Sequence, residues 1–220
     1  MNYELGQLLK EYRIRKNFST VQAAELINIK ARTYGDIENG YRDLKLDELV
    51  ILSREFDFDP KQIDFMLLTH AHIDHSGQIP NLYQAGFEGQ ILCTSPTIDL
   101  TELLLYDAAS LNTRIAKGIE KSHKKSKKWK SIETQSLYFD KQVKNAIGNF
   151  VPIAYNQRFR FKDDGYVTFI QAGHLLGAAH ILIEIKENGV WKKIGFSGDI
   201  GRRDFTLLPN PQSLPDVDYL

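Results

Sequence analysis

Hydrophobic positions along the chain fall into two regimes that meet near Pro60. From Asn2 to Phe56 the apolar spacing is helical. Leu5, Leu8, Leu9 and Tyr12 fall at i, i+3, i+4 and i+7, one face of a 3.6-residue period. Ser19 followed by Gln22 has capping-box spacing and predicts a second helix through Leu26. A third helix is predicted from about Lys30 to Glu38, with Asn39-Gly40 closing it in a left-handed cap. A fourth carries Leu46, Leu49, Val50 and Phe56 along one side. Four short helices in so short a stretch predict a miniature bundle.

Beyond Pro60 the pattern changes. Phe65 to Thr69 and Gln90 to Thr94 read as buried strands, with a helix around Ile79, Leu82 and Tyr83 between them. Thr97 to Leu111 predicts a leucine-rich amphipathic helix, and Leu137 to Ile147 another. The intervening stretch, Lys117 to Lys130, holds seven lysines against one acid, Glu120, and reads as a solvated connector. Strands are then predicted at Arg158–Phe161, Tyr166–Ala172, Ala179–Ile185 and Val190–Ser197. The turns between them include Asp163-Asp164-Gly165 and Asn188-Gly189; Asn-Gly between two apolar runs is a strong hairpin signal.

Composition narrows the class. The 220 residues carry 28 basic and 28 acidic side chains, which excludes a uniformly basic nucleic-acid coat and an acidic tail protein. A hydrophobic share of 42% with 25% charged residues fits a globular protein. The length suits one domain, or a small domain plus part of a larger one. Cys93 stands alone, so neither an intrachain disulfide framework nor a cysteine-built zinc knuckle is available. No apolar run approaches the roughly 20 residues of a membrane helix and no signal-peptide pattern opens the chain, so the cytoplasm is the expected compartment.

The chemistry concentrates in Thr69-His70-Ala71-His72-Ile73-Asp74-His75-Ser76-Gly77. Four metal-competent side chains leave a predicted strand end within six residues. Alternation projects His70 and His72 to one side, and the following turn brings Asp74 and His75 around a second point, which suits two adjacent cations. Imidazole with carboxylate suits zinc or a similar first-row metal rather than calcium. A solvated histidine cluster is the bland alternative. His174, flanked by Gly173 and Gly177, and Asp199 in Phe196-Ser197-Gly198-Asp199 also lie just past predicted strands and could complete the site. His180 falls inside a strand pattern and reads as structural; His123, among lysines, reads as solvated.

The motifs THAHIDHSGQIP, AGHLLGAAHI and FSGDIGR make the segment from about Phe58 to Leu220 resemble the metallo-β-lactamase superfamily, and within it the β-CASP branch of RNA-processing nucleases. The resemblance implies a partial αββα sandwich over residues 58–220 and a two-zinc site. By it, His70, His72 and His174 hold the first Zn2+, Asp74 and His75 the second, and Asp199 bridges them. A bridging water of lowered pKa would attack a phosphodiester, with Asp74 orienting it; leaving-group protonation has no candidate. The pattern departs from the family at both ends. A helical segment stands where several strands and an Asp-bearing strand end are usual, and Pro215 to Leu220 stops before the acidic motif and the inserted domain that supplies further histidines. These departures imply an under-coordinated second metal, apolar surface that a second copy or a partner would cover, and open the question of turnover by this chain alone.

The stretch Leu5 to Phe56, within a domain expected at 1–57, resembles Cro/cI-type helix-turn-helix domains. The match lies in Phe18-Ser19-Thr20-Val21-Gln22-Ala23-Ala24-Glu25-Leu26, Thr33-Tyr34-Gly35-Asp36-Ile37-Glu38-Asn39-Gly40, and Leu46 to Leu52. By that resemblance the third helix enters the DNA major groove. Gln22, Lys30, Arg32 and Thr33 would contact bases or phosphates, and Arg42 a phosphate. Lys30 stands where a capping Ser is common, which predicts a weakly capped helix start. The expected fold class is therefore α + α/β: a small all-α bundle followed by the partial sandwich.

Three functions follow from these readings. The first is a zinc-dependent hydrolase acting on RNA, with a DNA-binding module at its start. The second is a non-catalytic DNA-binding regulator carrying a metallo-β-lactamase remnant. The third, a hydrolase of small esters or thioesters, is less favoured by the AGHLLGAAH form and the leucine-rich helix after Thr97. The lysine stretch with Trp129 would add non-specific attraction for a polyanion, or serve only as a basic loop.

Overall fold

The computed structural model describes residues 2–42, 44–56, 61, 63–124 and 138–220. The chain divides into two compact units, residues 1–64 with 81–88, and residues 65–80 with 89–220. Pro60, Phe58, Leu137 and the lysine-rich stretch beyond Lys124, with Trp129, lie outside the described residues, as does the side chain of His123.

Among the described residues, positions 2–56 of the first unit carry four helices: α1 (Asn2–Arg15), α2 (Thr20–Leu26), α3 (Ala31–Glu38) and α4 (Leu46–Glu55). Ser19 Oγ accepts from the Gln22 amide, and Gln22 Oε1 accepts from the Ser19 amide, so the predicted capping box starts α2. Lys30 starts α3 with no side-chain cap, as its chemistry dictates. Gly40, at φ 73°, closes α3 in the left-handed conformation. Leu9, Ala23, Ala24, Ile27, Tyr34, Ile37, Leu52 and Phe56 form the core. A buried charge pair locks α1 to α3: Arg13 Nε and Nη2 donate to Glu38 Oε1 and Oε2 at 2.5 and 3.0 Å, while Arg13 Nη1 satisfies Phe18 O at 2.8 Å.

The second unit is built on two sheets. One is parallel, ordered β1 (Phe65–Leu67), β2 (Gln90–Cys93) and β3 (Phe150–Pro152). The other is antiparallel, ordered β4 (Phe159–Lys162), β5 (Gly165–Gln171), β6 (Ala179–Glu187) and β7 (Val190–Phe196). Asn188 and Gly189, at φ 51° and 83°, make the two-residue turn from β6 to β7, the geometry that Asn-Gly favours. The core of the antiparallel sheet is the alternating row Val167 and Phe169 on β5, facing Ile183 and Ile181 on β6. The helices after α4 are α5 (Ile73–Ser76), α6 (Ile79–Gln84), α7 (Ser95–Lys124) and α8 (Asp140–Ile147). Leu105 and Ala109 of α7 pack with Val143 of α8 and Tyr138.

Two features depart from the sequence reading. The α7 helix continues to Lys124, so the first part of the expected connector is helical; lysine, glutamate and alanine are good helix formers, and solvation does not oppose a helix. The strand β3 was not expected: three residues ending in Pro152 carry too short a pattern, and pairing with β2 creates it.

Candidate metal centre

Each metal-competent side chain sits where a strand ends. The chain leaves β1 through Leu68, whose amide donates to Leu92 O, and turns at His70. Ser76 Oγ donates back to Ala71 O and His72 O at 2.9 and 3.0 Å, which closes the 70–76 loop on itself and sets Asp74 and His75 on the short α5. The segment between β5 and β6 carries His174, and the residues after β7 carry Asp199. These three loops converge. One ligand atom from each of His70, His72, His174 and Asp199 lies within 4.8 Å of all the others.

His72 Nδ1 stands 3.1 Å from both His70 Nε2 and His174 Nε2. Asp199 turns Oδ2 toward His174 Nε2 (3.3 Å) and His70 Nε2 (3.5 Å), and Oδ1 toward His75 Nε2 (3.7 Å). His75 Nε2 also lies 3.7 Å from Asp74 Oδ2. All six predicted residues are thus contiguous. Asp74 stands at the rim, 77% exposed, outside the four-donor group.

The donor chemistry fits a cation. Metal–nitrogen bonds of about 2.0–2.1 Å at tetrahedral angles place ligand nitrogens roughly 3.4 Å apart, close to the spacing here. His70 is buried, and burial, with the neighbouring His75 adding repulsion, pushes its pKa down to about 4. It therefore stays neutral near pH 7, with a lone pair to give. Thr69 Oγ1 lies 3.0 Å from its Nδ1, which leaves Nε2 for the cluster.

Residues that the sequence reading did not single out hold the loops in register. Thr69 O accepts from the Ala179 amide at 2.9 Å, tying the first loop to β6. Buried Thr94, at the end of β2, donates to Gly177 O at 2.7 Å, and Tyr155 Oη donates to Ala178 O at 3.0 Å. Gly177 sits at φ 84°, and a side chain there would collide with Thr97. His180 is buried with Nδ1 2.5 Å from Ser197 O, the structural place its strand position suggested, and it steadies the turn before Asp199. The signal available for Thr69 and Thr94 was their position at the ends of the two predicted strands.

In the helical unit, Lys30 and Arg32 are exposed and Thr33 half-buried at the start of α3. Gln22 is exposed but serves the capping box, and Arg42 forks onto Glu48 at 2.7 and 2.8 Å.

Residues 41–218 match the family model of the metallo-beta-lactamase superfamily, most of the chain. The chain belongs to that superfamily. The metallo-beta-lactamase assignment implies a divalent metal, and the His/Asp cluster is a site that can take one. Residues 9–63 match a helix-turn-helix model. A ribonuclease of Thermus thermophilus is 31% identical over 165 residues, covering 75% of this chain and 32% of its own. A transcription termination factor, FttA, of Methanococcus maripaludis is 30% identical over 144 residues, 66% of this chain and 20% of its own. This chain thus spans a third or less of those relatives' length. Among solved structures, a subclass B3 metallo-beta-lactamase of Bradyrhizobium japonicum superposes with a TM-score of 0.40 at 16% identity, covering 69% of this chain and 47% of that one. Among the described residues no helix is long and apolar enough to cross a membrane.

Proposed function

We propose that the chain is a zinc-dependent metallo-hydrolase that cleaves phosphodiester bonds in RNA and carries a DNA-binding module at its N-terminal side. One observation carries the reading: four donor atoms from three separate loops lie within 4.8 Å of one another. The ribonucleases among its relatives supply the substrate class.

In this reading His70, His72 and His174 would hold one zinc and Asp74 and His75 a second, with Asp199 offering a carboxylate oxygen to each side. The two faces of the Asp199 carboxylate support that division, since Oδ2 looks toward His70 and His174 and Oδ1 toward His75. Bound there, the metals supply Lewis acidity, lowering the pKa of water and polarising the phosphodiester. Asp74, open to solvent beside His75, orients the attacking water. Neutral His70 keeps the buried side of the cluster free of competing protons. In the helical domain, taken as residues 1–57, Lys30, Arg32 and Thr33 at the start of α3 face a DNA groove. Gln22 and Arg42 reach DNA only by sharing or leaving their internal partners. Residues 58–220 form the hydrolase domain, and a second copy or partner covers its exposed apolar Leu207, Tyr219 and Leu220.

A second reading, a DNA-binding regulator with a non-catalytic metal site, draws on the exposed position of Asp74 outside the four-donor group. Zinc per chain, measured by elemental analysis, and cleavage of a labelled single-stranded RNA separate the two. The hydrolase reading expects about two zincs, turnover, and loss of both in His72→Ala. Bound zinc without turnover would favour the regulator, and no bound zinc would sink both readings of the cluster.

A further inference from the structure

A cavity of about 260 Å³ opens directly beside His174. Its floor is the contact between the loop that carries His174 and the loop that follows Asp199. Gly201 donates its amide to Ala172 O at 2.9 Å, and a side chain at Gly201 would collide with Gly173. Gly173 is itself in the left-handed region, at φ 65°, with its α-carbon face against Pro209 and Pro211. Asn210 Oδ1 accepts from the Asp204 amide at 2.7 Å and closes the far end of the loop. The wall is therefore built in advance rather than left to fold around a ligand.

Its lining has two chemistries. Ile200, Phe205 and Leu208 give an apolar side. Arg202 gives the cationic side, with its guanidinium 5.0 Å from the centre of the Phe205 ring. No lining residue is acidic, so the cavity suits an anion with a flat apolar portion. The volume falls just below the roughly 300 Å³ at which pockets for drug-sized ligands begin, so the cavity has room for one small unit of a polymer rather than an extended ligand.

We propose that this cavity is a nucleotide subsite, taking the nucleoside adjoining the scissile phosphodiester. The ribose and base lie against Phe205, Ile200 and Leu208, and Arg202 pairs with the phosphate that follows, where a guanidinium can donate two hydrogen bonds. The subsite rests on the hydrolase reading, because His174 is both one wall of the cavity and a member of the cluster. It adds to that reading a recognition element made by this chain's own loop after Asp199.

The test uses the full chain loaded with zinc and a short single-stranded RNA, with Arg202→Gln and Phe205→Ala as variants. Zinc content is measured on each protein. Both variants are expected to keep the wild-type zinc content and to raise KM by about tenfold, the scale of one lost stacking or charge-assisted contact, more than they lower kcat. Phe205→Ala should also flatten any preference between purine and pyrimidine at the cleaved step, whereas Arg202→Gln should lower the salt dependence of binding. Unchanged KM in both variants, with zinc content and turnover intact, overturns the subsite and leaves the hydrolase standing. Where wild type holds zinc but does not turn over, the dissociation constant of the same RNA is read instead, and equal values in all three proteins overturn the subsite. A wild-type chain that takes up no zinc sinks the hydrolase reading, and the subsite falls with it.

Discussion

At the scale of single residues, the histidines and carboxylates announce their chemistry, but the groups that aim them do not. Thr94 shows why. Its hydroxyl serves Gly177 O and lies 3.0 Å from Thr97 Oγ1, and Gly177 is 83 positions away in sequence. Thr94→Val keeps the shape and leaves the Gly177 carbonyl without its buried donor, at a cost of about 1–3 kcal/mol. The loop bearing His174 should loosen, and zinc affinity should fall by about tenfold in a chelator competition, with Thr94→Ser restoring most of it. An unchanged affinity would show that the loop holds without this bond. Arg32 poses a different question, since it is exposed at the start of α3. Arg32→Ala should weaken a salt-sensitive gel shift on DNA and reduce the salt slope by about one unit, as loss of one phosphate contact does. A shift that does not respond would assign binding to another face. No spacing rule in the sequence could have paired Thr94 with Gly177, whereas the end of α3 followed from Asn39-Gly40 and its course from the helical period.

At the scale of elements, the legible features were those that local chemistry settles. The capping box at Ser19, the uncapped start at Lys30 and the Asn188-Gly189 turn all formed as their side chains require. The illegible ones depended on partners: β3 exists because β2 offers it a ladder, and α7 outlasts its apolar stripe to Lys124. Helix α4 adds an electrostatic device. Burial acts to raise the Glu48 pKa, but the Arg42 fork and the Lys45 amide outweigh it, and the net shift is downward from 4.5. A carboxylate depressed in the folded state contributes stability above its unfolded pKa and loses it as pH falls through the folded value. Thermal melts of the wild type should therefore drop below about pH 4.5 more steeply than those of Glu48→Gln. Parallel curves would remove the Arg42–Glu48 pair from the account of acid stability.

At the scale of the whole molecule, ligand binding and folding are linked through the loops that share the cluster. A metal held by His70, His72, His174 and Asp199 ties the ends of β1, β5 and β7, so it binds the folded state alone. Zinc at a hundred times its dissociation constant should stabilise the fold by about 2.7 kcal/mol. Chelation should lower the melting temperature of the wild type, while in His72→Ala the difference between zinc and chelator should be much smaller. Equal melts for the wild type would mean that the donors do not bind the ion. The sequence by itself determined which groups could act: imidazoles and a carboxylate past strand ends, glycines where the backbone must turn, and an apolar period that separates a helical bundle from a sheet region. Only the tertiary structure decided that they meet. Residues 70–75, 174 and 199 are far apart along the chain, and the distance between them is set by sheet pairing, by buried threonines and by close backbone contacts, none of which has a local signature.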